Sequence, residues 1–112
     1  MIDIERLCTP VSAEAPCGSD LEYDADFLSL EKALQGKPEQ QFGETIVPAE
    51  EPDWREVFSL SEALFARTKD LRIAVTLIRA ALRIGGFSTY YQGLLLIQQL
   101  CETYWESLFP AL

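Results

Sequence analysis

The sequence predicts an all-α, or mostly α, fold: a small antiparallel bundle of three to five helices with an extended, proline-rich, acidic N-terminal arm. Two observations carry this. Residues 1–53 hold 13 acids, 3 bases and five of the six prolines, Pro10, Pro16, Pro38, Pro48 and Pro52, which interrupt regular elements repeatedly. Residues 54–112 hold 5 acids and 6 bases, and their apolar residues recur at helical spacing with short connections that favour antiparallel neighbours.

The elements follow in order. Asp24 can cap a helix over 25–35, where Phe27, Leu30, Ala33 and Leu34 share a face before Gly36 stops it. The polar, proline-flanked stretch to Pro52 reads as a loop, with Thr45-Ile46-Val47 as one short extended piece. Asp53 and Glu56 stand in a capping-box arrangement before Trp54, Val57, Phe58, Ser61, Leu64 and Phe65, predicting a helix over 53–67. Asp70 caps the run LRIAVTLIRAALRI, the central and most buried helix, which Gly85-Gly86 ends. Ser88 is the expected cap of the last helix, carried by Ile97, Leu100, Cys101, Tyr104, Trp105 and Leu108 to near Phe109. Residues 1–112 thus read as a single domain, arm and first helix over 1–52 and helical core over 53–109. The apolar ending Leu108-Phe109-Pro110-Ala111-Leu112 suggests a piece of a longer protein.

A net charge of −9 argues against a phosphate-dominated nucleic acid partner and against the anionic membrane leaflet. No apolar run approaches the ~20 residues that span a bilayer, and the start lacks the basic and apolar regions of a secretory signal. Cys8, Cys17 and Cys101 are an odd number, which favours a reduced, cytoplasmic setting.

Catalytic, cofactor and metal sites are all expected to be absent. Histidine does not occur, which removes the commonest general base and transition-metal ligand. Asp20, Glu22, Asp24, Asp26 and Glu31 imitate calcium-loop spacing, but Ala25 stands where the loop needs glycine, so the acids read as a solvated cluster favouring the helix dipole. Carboxylate-pair hydrolysis lacks any pattern for two distinct environments. Zinc would need all three cysteines plus a carboxylate, and Gly85-Gly86 lacks the lysine of a phosphate loop.

Two features point to binding. Arg72, Arg79 and Arg83 fall within about 40° on one helix face. They read either as a solvated edge that fastens the acidic arm, or as a docking strip for an acidic partner surface. Tyr90, Tyr91, Tyr104, Trp105 and Phe109 cluster on the last helix, mostly as core, with Tyr104 and Trp105 near the inward face and a partly exposed interaction surface as the other reading. Arg72, Arg79, Arg83, Tyr104 and Trp105 are therefore the candidate partner-binding residues.

The order of short motifs resembles the ImpA amino-terminal domain family, found in TssA-type components of bacterial type VI secretion systems. The likeness is carried by Pro16, Gly18, Asp20, Leu21, Tyr23, Asp24 and Phe27, then Gly36-Lys37-Pro38-Glu39, the segment Ile46 to Trp54 with Pro52 and Asp53, then Asp70 and Arg72, and Tyr104-Trp105. It covers about residues 9–112 and departs at Ala25 and Phe109, where family members have proline and histidine. Local physics also explains these residues, since Pro16 and Gly18 fix a turn, Asp53 caps a helix and Trp54 fills core. The resemblance implies a non-enzymatic, cytoplasmic assembly component contacting baseplate, sheath and tube proteins, and a homo-oligomer formed through a missing C-terminal region. The alternative is a general protein-interaction module of another cytoplasmic assembly.

Overall fold

Five helices and one small hairpin succeed one another in the computed structural model, which describes residues 2–110. They are α1 (Ile4–Leu7), α2 (Ala25–Gln35), β1 (Gln40–Phe42), β2 (Thr45–Val47), α3 (Trp54–Phe65), α4 (Leu71–Gly85) and α5 (Phe87–Tyr104). Each of the first four helices opens on an aspartate, Asp3, Asp24, Asp53 or Asp70, whose carboxylate accepts from the amide two or three residues on. Helix α5 is the exception, because Gly86 precedes it at φ 77° and Ser88 lies inside its first turn rather than capping it. The Thr89 hydroxyl instead lies 2.8 Å from the Ala81 carbonyl and 2.7 Å from that of Gly86, donating to one at a time and tying the two helices together.

Helices α3, α4 and α5 form the core layer, α2 packs on α3, and α1 lies against α5. The runs are antiparallel: Arg79 and Arg83 late in α4 reach Trp54 at the start of α3, and Gly93 in α5 meets Ile78 in α4. A Cβ on Gly93 would lie 2.5 Å from Ile78 Cγ1, so glycine permits the close crossing. Val57, Phe65, Ile73, Ala74, Leu77, Ala80, Ala81, Leu96 and Leu100 are fully buried where these helices meet. Burying these side chains stabilises the fold at about 25 cal/mol per Å² of apolar area removed from water.

The prediction of an extended arm is corrected. Ile2, Leu7, Cys17 and Leu21 are buried, and Tyr104 Oη donates to the Cys8 carbonyl at 2.6 Å. A four-residue helix is too short to display a 3.6-residue period, which is why α1 leaves no trace in the sequence pattern. The Gly36 to Pro52 segment, expected as a loop, contains an antiparallel hairpin that pairs Gln40 with Val47, Gln41 with Ile46 and Phe42 with Thr45. All six strand residues are exposed.

The last helix also ends earlier than expected, at Tyr104. Beyond it, Phe109 N–H donates to the Lys69 carbonyl at 3.0 Å and Leu71 N–H to the Phe109 carbonyl at 2.8 Å. Lys69 N–H donates to the Cys17 carbonyl at 2.8 Å, so extended bonds to the α3–α4 connection capture both flanking segments. Gly18 makes this seam possible: its φ is 71°, and a Cβ there would fall 2.1 Å from the Arg67 carbonyl oxygen.

Candidate interaction surface

The acidic cluster of residues 20–26 is divided between two arginines. Arg72 donates to Asp70 at 2.7 Å and to Asp20 at 3.2 Å, lies 3.7 Å from Glu22, and covers the Phe27 ring at 5.2 Å. Hydrogen bonding to the buried Asp70 carboxylate, outweighing the cost of burial, holds the Arg72 guanidinium above its ordinary pKa. Arg67 makes a forked pair with Asp24 and reaches Asp26 at 2.8 Å. Its hydrogen bond pushes the Asp24 carboxyl below the usual carboxylate range. Glu31 is exposed, and among the described residues no group of three or more metal-ligating side chains is arranged to hold an ion.

The predicted arginine row therefore splits. Arg72 is committed to the acidic segment at one end of α4, while Arg79 and Arg83 stack over Trp54 on α3, 5.7 Å and 5.3 Å from the ring. Arg83 also donates to Glu51 at 3.3 Å. Arg79 is exposed and has no carboxylate within 4.0 Å among the described residues. It borders a groove of about 210 Å³ between α4 and α5, lined besides by Val75, Ile78, Tyr90, Leu94 and Ile97.

The groove opens onto the outer side of α5. On a 3.6-residue helix Phe87, Tyr91, Leu94, Gln98 and Trp105 fall within about 60°. Phe87 is 83% exposed, Tyr91 63%, Leu94 46% and Trp105 60%, so the side turned away from the core is itself an apolar stripe. The expectation that Trp105 faces inward with Tyr104 is corrected: Tyr104 is buried as the pin to Cys8, and Trp105, where the helix ends, points to solvent. Tyr90 is partly exposed and Phe109 half-buried, so the cluster is not mostly core. Val75, Phe87 and Leu94 were not singled out by sequence reasoning. The available signal was that residues 71–101 contain three arginines and no acid in a chain of net charge −9.

The family-signature residues have structural positions. Gly18, Asp20, Asp70 and Arg72 build the seam, Leu21 and Phe27 are buried, and Asp24 and Asp53 cap α2 and α3. The Pro16 carbonyl accepts from Val11 N–H at 2.8 Å, and Pro52 lies against Gly36. Trp54 is half-buried beneath the two arginines, whereas Tyr23 is 86% exposed. Among the described residues one buried cation stands apart from every ion pair: Lys69, whose Nζ donates to the Phe65 carbonyl at 2.6 Å, and whose pKa burial pushes down.

Residues 8–112 match the family model described as ImpA, N-terminal, type VI secretion system. The whole chain is 45% identical to the type VI secretion system component TssA1 of Pseudomonas aeruginosa, of which it spans 33%. A solved structure of the N-terminal domain, including the conserved ImpA N-terminal region, of the TssA component from Burkholderia cenocepacia is similar to it. That similarity has a TM-score of 0.82 at 29% identity, covering all of this chain and 41% of the other.

Proposed function

Because the chain belongs to the ImpA N-terminal family of type VI secretion components, we propose that it is a non-enzymatic adaptor module. It helps organise the baseplate and the contractile sheath and tube through protein–protein contacts in the cytoplasm. Self-association into a larger ring is assigned to the two thirds of the TssA1 relative's length that this chain does not span. One observation supports the adaptor reading most directly. A surface continuous from Trp54 through Arg79 to the α5 stripe combines large exposed apolar side chains with unneutralised positive charge, the composition favoured at protein interfaces.

The test is affinity capture by the 112-residue chain of purified baseplate, sheath and tube components, beside a Phe87→Ser/Trp105→Ser variant. Retention of one component by the parent chain, lost in the variant, is the expected result. Equal retention by both, or none by either, overturns the assignment to this face.

A further inference from the structure

We infer that the groove between α4 and α5 receives an acidic amphipathic helix of a partner protein, with apolar side chains in the groove and a carboxylate on Arg79. This rests on the adaptor reading above and names the shape and charge of what the surface takes.

Shape supports a helix. The groove runs between two antiparallel helices, with Ile78 and Ile97 beneath and the more exposed Val75, Tyr90 and Leu94 along its rims. Such a trough accommodates a ridge of side chains at i, i+3, i+4 and i+7, and it presents no strand edge to an extended peptide.

Charge selects among helices. Arg83 is already paired with Glu51, whereas Arg79 borders the groove with its guanidinium over the Trp54 ring and, among the described residues, no carboxylate within 4.0 Å. Within residues 71–101 there is no acid to neutralise it. A second copy of this chain is a poor occupant: each copy carries −9, and α5 offers a single carboxylate, Glu102. The acids of residues 20–26 that could otherwise serve are drawn to Arg67 and Arg72.

The experiment tiles the baseplate, sheath and tube components as labelled 20-residue peptides and measures their binding to the 112-residue chain by fluorescence anisotropy. The expected binders are acidic, carry apolar residues at helical spacing and gain helical circular dichroism on binding. Arg79→Glu should weaken them at least about fivefold, Arg79→Lys should retain most of the affinity, and Leu94→Glu should abolish it. Both positions are exposed, so unchanged thermal melts confirm folding of the variants. Binders that are basic or extended, or indifference to Arg79→Glu, overturn the inference. Capture of a whole component with no helical peptide bound overturns it too, yet leaves the adaptor reading standing. Peptide binding of the expected kind without capture of any whole component leaves the groove assignment standing and removes the adaptor reading. Absence of both overturns both.

Discussion

Arg67 grips Asp24 with two parallel hydrogen bonds, Nη2 to Oδ2 at 2.8 Å and Nη1 to Oδ1 at 3.2 Å, while the same Oδ1 caps α2 through Asp26 N–H. One carboxylate thus starts a helix and ties it to the end of another.

This pair makes a pH prediction. The Asp24 pKa is lowered from 3.8, chiefly by the Arg67 hydrogen bond. A group depressed in the folded state contributes stability above its unfolded pKa, and that contribution is lost as pH falls through the folded value. Arg67→Gln should move the Asp24 carboxyl back toward 3.8, read by carbon-detected NMR titration, and should flatten the fall of stability below pH 3.8. An unmoved titration sinks the assignment.

At the seam, Gly18→Ala places a methyl group on the Arg67 carbonyl at a left-handed backbone position. The expected cost in urea denaturation is about 3 kcal/mol or more. Gly43→Ala, also at positive φ but in open space, should cost only about 1 kcal/mol. Equal losses would mean that backbone conformation, not the close approach, governs position 18.

Removing the Tyr104 hydroxyl leaves the Cys8 carbonyl without its donor. Tyr104→Phe should destabilise by about 1–2 kcal/mol. Hydrogen exchange should accelerate at Leu7 and Cys8, whose amides bond to the Asp3 and Ile4 carbonyls of the turn that this contact holds. Unchanged exchange there would show that buried Ile2 and Leu7 alone dock the segment.

Lys69 predicts the same pH sense as Asp24, in an alkaline window and from a different cause. Burial lowers its pKa from 10.5, so the folded state sheds its proton first and stability rises with pH between the lowered value and 10.5. The raised pKa values of Cys8 and Tyr104 act against this above pH 9.0 and 10.0. The difference between parent and Lys69→Met stability curves isolates the lysine. It should narrow on the alkaline side if the charged form is what burial penalises.

How far the fold could be read in advance depended on the length scale of each element. Helix α2 matched its predicted bounds because an aspartate cap, a four-residue apolar face and a terminal glycine agree locally. The hairpin was half visible: Thr45-Ile46-Val47 is β-prone, but its partner Gln40-Gln41-Phe42 has no strand pattern, and pairing rather than burial defines it. The buried positions of Ile2, Leu7 and Cys17 depend on contacts across the chain, to α5 and to Lys69, which no local period records. Within the candidate surface, the arginine spacing was legible, but its division was not. Arg72 is diverted by Asp20 and Asp70, and only the folded seam brings residue 20 to residue 72. The α5 stripe was misjudged because an apolar helix face gives the same sequence signal whether another helix covers it or solvent does.

The seam at Lys69 has a consequence for synthesis on the ribosome. Its amide takes a partner from residue 17, already made, whereas its carbonyl waits for residue 109. At roughly 5–20 residues per second, the forty residues from Lys69 to Phe109 represent about 2–8 s of translation. During that interval a nascent chain can close the Cys17 side while α4 and α5 are still emerging, and it lacks the last rung until Phe109 leaves the exit tunnel. The order of assembly is thereby imposed by the direction of translation, and a pause as α5 emerges would hold an intermediate with the Cys17 rung closed, the Phe109 rung open and the Ala81 carbonyl without its Thr89 donor.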